Sequence, residues 1–247
     1  ILADEEKKRI HIISTRALPI QWVNGDADKA EASFFKINTK GTPLDNIEEL
    51  LLQNRHKPIA IAARAIIRAG KGHKYWSRFD EDIAEKVEGA AKKLNELLFD
   101  PEIQSPVKTL DLPLGGSRSV RTAIQTLIDL CTLANLDQNG KPLKLSDTPD
   151  DDDGSGTLKA LKKTKSLVEK ITGNSPGSLG LHPAIYFYGP NGRHSSYMFM
   201  GTMELVAKQV ANNNSEFFKK FTRVRAKLED ILIEKKDLLS TIIQRHI

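Results

Sequence analysis

The sequence predicts an α+β fold that is predominantly α-helical, with a mixed N-terminal lobe over residues 1–80 and a helical lobe over residues 81–247. Three observations carry this. Residues 10–13, "IHII", form a short apolar run rich in β-branched side chains, and "PIQWV" at 19–23 adds a second pulse before an Asn-Gly turn. Runs of that kind, bounded by proline and turn residues, predict one or two short strands. From Asp26 onward the apolar residues instead recur three or four apart, the spacing that lines one face of a helix.

Taken in order, "DADKAEASFFKIN" begins with a capping aspartate and repeats Ala30, Phe34 and Ile37 at helical spacing, which predicts a helix of about three turns. After a polar joint, Asp45 and Glu48 stand as an acidic capping box ahead of "NIEELLLQ". Pro58 suits the first turn of "PIAIAARAIIRA", and Gly70 its C-terminal stop. That helix is apolar on nearly every side. The amphipathic "RFDEDIAEKVEGAAKKLNELLF" is stopped by Asp100-Pro101, and "SVRTAIQTLIDLCTLANL" and "TLKALKKTKSLVEKITG" continue the helical period. The aromatic-rich stretch 174–201 mixes turns with short elements, and "MELVAKQVANN" and the long "SEFFKKFTRVRAKLEDILIEKKDLLSTIIQRHI" close the chain as helices. Residues 147–157, "DTPDDDDGSGT", have almost no apolar side chain to set against the entropy of ordering, so a mobile, dispensable acidic loop is expected there.

Composition narrows the function classes. The 247 residues carry a formal net charge of +5, which permits a polyanionic partner without requiring one. The single cysteine, Cys131, sits in an apolar run, so no disulfide framework and no cysteine-based zinc site forms within the chain, and a cytoplasmic setting is expected. No segment approaches the length of a membrane span, and the charged "ILADEEKKRI" start is unlike a secretory signal. Because that start lacks a methionine, the chain is expected to be a piece of something longer.

Two places carry candidate chemistry. The joint Asn38, Thr39, Lys40, Gly41 and Thr42 offers an amide, a charge and an approachable backbone N–H to a phosphate; the plainer reading is a helix-joining turn. Arg64 and Arg68, at i and i+4 on the apolar helix, share one face and call for an anion. Glu48 or Glu49 would satisfy them structurally. A phosphate would do so functionally, with Arg55, Lys57, Lys71, His73 and Lys74 flanking the same helix. Tyr75 and Trp76 are expected to plug the junction between the lobes. His182 and His194 match no regular ligand spacing, so no metal site is expected, and no complete catalytic motif is present.

The string "FFKINTKGTPLD" and the block "NRHKPIAIAARAIIRAGKGHKYWSRF" resemble the N-terminal domain family of GmrSD-type restriction proteins, and "LGLHPAIYFYGPNGR" is similar to a segment downstream in some members. The resemblance implies a ParB/sulfiredoxin-like core, of which residues 1–80 would be the C-terminal part. It also implies a nucleotide-binding sensor or regulatory part of a cytoplasmic prokaryotic DNA-restriction or phage-defence protein. A nucleoside triphosphate with Mg is the implied ligand, and DNA and a nuclease domain or subunit are the implied partners, oligomerisation included. The Asp-Gly-Gln-Gln-Arg motif that marks the family does not occur in the sequence. Two other readings stand beside it: a helical interaction module without a ligand of its own, and a direct DNA-binding domain.

Overall fold

The structure, a computed structural model, describes residues 4–15, 46–72, 75–100, 112–116, 120–137, 140–172 and 177–245. Among these residues the chain is predominantly helical, and its only β pairing is two isolated bridges, Leu136 with Pro142 and Tyr188 with His194. The helices are α1 (Asp4–Ser14), α2 (Asn46–Gln53), α3 (Pro58–Ile67), α4 (Glu81–Phe99), α5 (Val120–Ala134), α6 (Ser155–Ile171), α7 (Pro183–Tyr186), α8 (Ser196–Ala211), α9 (Ser215–Glu234) and α10 (Lys236–Arg245).

The expected mixed lobe is corrected at its first strand. Residues 10–13 finish α1, because Asp4, Glu5 and Glu6 stand in its first turn, where carboxylates meet the positive end of the helix dipole. The β-branched run is too short to outweigh that start, and Ile10 and Ile12 are left exposed. Ser14 and Thr15 close the helix by donating their hydroxyls to the His11 carbonyl at 3.0 and 2.7 Å. With no strand among the described residues, nothing supports the ParB-like core. The second pulse at 19–23, the helix at 26–38 and the joint Asn38, Thr39, Lys40, Gly41 and Thr42 lie outside the described residues, as do His73 and Lys74.

The chain divides into two compact units, residues 1–49 and 50–247. The second is built around α3. Ile59 through Ile66 are all buried, as an all-round apolar helix must be, and α3 packs against α4, α5 and α6 as the centre of the second unit. α5 and α6 in turn carry α8 on their far side. Two buried amides reach across these packings: Asn95 Nδ2 donates to the Ile66 carbonyl at 2.8 Å, and Asn135 Nδ2, which also caps its own helix at the Cys131 carbonyl, to the Ala160 carbonyl at 3.4 Å. Trp76 is fully buried with its Nε1 donating to Glu88 at 3.0 Å, which is the packing role expected of it. Burial pushes the Cys131 thiol up to about 12.

Gly70 ends α3 as the sequence indicated, in the left-handed region at φ 68° with its N–H donating to the Ala65 carbonyl at 2.9 Å. A Cβ at this position would stand 2.5 Å from the Glu88 carbonyl oxygen of α4. Backbone meets backbone there, so neither side yields cheaply. Gly70→Ala is expected to lower stability by about 2 kcal/mol or more in urea unfolding, from strained φ and the displaced helix together.

The acidic segment is tied down rather than loose. Asp151 is buried, and its carboxylate accepts from the N–H groups of Gly154 (3.1 Å), Gly156 (3.2 Å) and Thr157 (2.6 Å) at the start of α6. Asp151 N–H donates to the His56 carbonyl at 2.9 Å, Lys57 Nζ reaches the Thr148 carbonyl at 2.6 Å, and Arg78 bonds the Asp151 carbonyl. Lys57 also pairs with Asp150 at 3.1 Å, and Arg78 with Asp152 at 3.4 Å. The expectation of a loop with nothing to bury fails because capping hydrogen bonds and ion pairs, not apolar side chains, order it.

A candidate anion site around Arg64

Arg64 lies in the last turn of α3 and is 7% exposed. The chain reverses just beyond it: Ala69 and Gly70 are left-handed at φ 50° and 68°, Lys71 N–H donates to the Arg68 carbonyl at 2.9 Å, and Gly72 turns again at φ 81°. These turns return Tyr75 beneath the arginines. The Arg64 guanidinium lies 4.0 Å from the centre of the Tyr75 ring and that of Arg68 lies 5.7 Å from it. A guanidinium stacked on an aromatic face keeps its N–H groups free in its own plane. Gly72 suits its turn because its backbone is left-handed at φ 81°.

Burial pushes the Arg64 pKa down; Tyr75 pulls it up, and the charges of Arg68 and then Arg55 each lower it by less than Tyr75 raises it. Arginine nevertheless stays charged near neutrality. Its Nη1 is buried and has no hydrogen-bond partner. The C-terminal carbonyls of α3 and the Tyr75 ring offset part of the charge. A buried donor on a cation is costly to leave unpaired, and an oxyanion would satisfy it.

Of the residues the sequence singled out, the structure brings Arg64 and Arg68 against one ring, that of Tyr75, and the charge of Arg55 acts on Arg64 more weakly. Lys57 is drawn instead to the acidic segment, and Lys71 is exposed. Tyr75, expected to plug a junction, is the platform on which the arginines stack. The signal for it was present: two left-handed-prone glycines between the arginine pair and the aromatic make the chain double back.

His182 and His194 have separate structural roles. His182 Nδ1 accepts from the Ala184 N–H at 3.2 Å at the start of α7, whereas His194 Nε2 bonds the Leu114 carbonyl at 2.8 Å. The His194 ring stacks edge-on against Tyr188, 5.4 Å between centres, and closes one wall of a cavity of about 460 Å³ with Gly115, Gly116 and Arg193. Burial lowers its pKa. A histidine whose folded pKa is depressed contributes stability that is present above its unfolded value, about 6.5, and is lost as pH falls through the folded value. The melting temperature is accordingly expected to fall below pH 6.5 more steeply in the parent than in His194→Gln, measured in one buffer series.

Compared with known proteins, the chain matches no family model, no curated protein and no solved structure.

Proposed function

We propose that the chain is a helical ligand-binding module that takes a phosphate-bearing anion at the Arg64 cluster. The observation that carries this is the buried, unpartnered Nη1 of Arg64 on a stacked guanidinium beside two further arginines. More than one positive charge converges there, which suits the multiple charge of a phosphate better than a single carboxylate, and the arginine fork matches its oxygens. A nucleoside triphosphate, carrying Mg²⁺ on its own phosphates, is the ligand that the two GmrSD-like blocks would supply. In that reading the chain is the sensor part of a restriction system, and the nuclease and the DNA contacts belong to a partner or to another domain.

The test is thermal unfolding of the full chain with inorganic phosphate, with a nucleoside triphosphate, and with chloride at matched ionic strength. A saturable stabilisation by phosphate or nucleotide that chloride does not give is the expected result. Equal melting temperatures in all three salts would remove the reading. Greater stabilisation by the nucleotide than by phosphate would favour the sensor assignment.

A second reading, a protein-interaction module, is favoured by a separate observation: α9 has no buried residue, and Val224, Ile231, Leu238 and Ile242 on the last two helices are all exposed.

A further inference from the structure

α8 and α9 diverge at a sharp turn. Asn213 between them is left-handed at φ 49°, a conformation that asparagine tolerates better than most residues. Asn214 then starts α9 by accepting the Phe217 N–H on its side-chain oxygen at 3.0 Å, and α9 packs onward against α7. Where the two helices part lies a cavity of about 780 Å³, a size at which small-molecule sites are found. Leu133 and Leu136 at the end of α5, Leu167 of α6, Ala207 and Val210 of α8 and Phe218 of α9 give it apolar walls.

The charged groups on these walls, Lys163, Glu169 and Lys170, all come from α6. Two of them are already engaged. Glu169 is paired with Lys165, and Lys170 Nζ donates to the Gly177 carbonyl at 2.6 Å while lying 4.6 Å from the centre of the Phe218 ring, a contact that favours the ring in its place on the wall. Lys163 stands at i−4 from Leu167 and so shares its face of the helix. It is exposed, and among the described residues no carboxylate or carbonyl pairs with its ammonium. The helix as a whole carries Lys159, Lys162, Lys163, Lys165 and Lys170 against Glu169 alone, so the field at this edge of the cavity is positive. An apolar space with one free ammonium at its edge suits a ligand with an apolar body and one anionic end. A single ammonium is a point charge without the fork of a guanidinium, which matches a monovalent carboxylate better than a phosphate.

We infer that this cavity is a second binding site, for an amphipathic carboxylate whose apolar body lies among Leu133, Leu167, Val210 and Phe218 and whose carboxylate meets Lys163. The site shares no residue with the Arg64 cluster, so it stands independently of the phosphate reading.

Calorimetric titration of the full chain with octanoate, 1-octanol and acetate tests the site. Octanoate is expected to bind saturably, octanol more weakly for want of the charge, and acetate not at all for want of the apolar body. Lys163→Met should weaken octanoate by roughly fivefold, the upper end of what an ion pair open to solvent supplies, and leave octanol unchanged. Because Lys163 is exposed and unpartnered, that variant should keep the fold. Ala211→Trp, at an exposed position on the cavity wall, should fill the space and remove both ligands. Arg64→Met should bind octanoate as the parent does. The inference is overturned by a parent that shows no saturable octanoate binding or takes octanol as tightly. It is equally overturned if octanoate binds Lys163→Met or Ala211→Trp as it binds the parent, or if Arg64→Met loses it.

Discussion

Asp151→Ala is expected to destabilise the fold by about 3 kcal/mol, enough to be seen as a large shift of the urea midpoint. The carboxylate is 5% exposed. It accepts from the N–H groups of Gly154, Gly156 and Thr157 and, at 2.5 Å, from the Thr157 hydroxyl. Those donors are the orphans of the α6 N-terminus, and a cap removed from an exposed helix start already costs about 1 kcal/mol. Here the donors are buried, so water does not replace the carboxylate, and each abandoned N–H adds its own desolvation cost. The loop geometry is specific to this acceptor: a Cβ on Gly156 would crowd Asp151 Cγ at 3.3 Å, and one on Gly154 would strike Phe79 and Ile83. Asp151→Asn should recover little, because its amide group presents donors to donors. Asp153→Ala, on the exposed side of the same loop, should barely move the midpoint, and deletion of residues 147–157 should unfold the second unit. An Asp151→Ala protein as stable as its parent would restore the view of this segment as a loose acidic loop.

The contrast between Asp151 and its neighbours shows where the sequence was legible. Helices announced by several agreeing signals were read nearly to the residue: Pro58 at the start of α3 and Gly70 at its end, and Asp100 after the amphipathic run of α4. The apolar completeness of "PIAIAARAII" correctly implied a central helix. Two readings failed for the same physical reason, that a local compositional signal was outweighed by hydrogen bonding it did not contain. The run at 10–13 has strand propensity, yet its own upstream acids make it the end of a helix. "DDDDGSGT" looks solvated, yet one of its aspartates is a buried cap, a role that depends on the glycines and threonine three to six residues later.

The arginine cluster was half legible. The i and i+4 spacing of Arg64 and Arg68 on an apolar helix told that cations would share a face, although only Arg64 is buried and Arg68 reaches solvent. It did not tell which group would meet them: the Tyr75 ring lies against Arg64 beyond the left-handed turns at Ala69, Gly70 and Gly72, which the spacing does not contain. α9 and α10 were legible as helices, but a sequence does not state which side of each faces its own body. That follows from the bonds of Tyr186 to Glu229, of Arg225 to the Leu179 carbonyl and of Lys236 to the Ala184 carbonyl.

Arg64→Met separates the two meanings a buried arginine can have. Methionine fills a similar stem volume without the charge. If the guanidinium is held for a ligand, the free protein carries an unpaired buried cation, and its replacement should leave the fold as stable as before or slightly more stable, since apolar substitutes for buried charges are often neutral or better. The ligand response is where the variant should fail. At phosphate or nucleotide concentrations 100-fold above Kd the parent is expected to gain about 2.7 kcal/mol, and the variant none. Arg64→Lys should fall between them, keeping a charge while losing the planar stack on Tyr75 and the forked donors. A variant that loses several kcal/mol of stability without ligand, yet still gains from phosphate as the parent does, would make Arg64 a structural cation stacked on Tyr75 and move the binding of anions elsewhere on the chain.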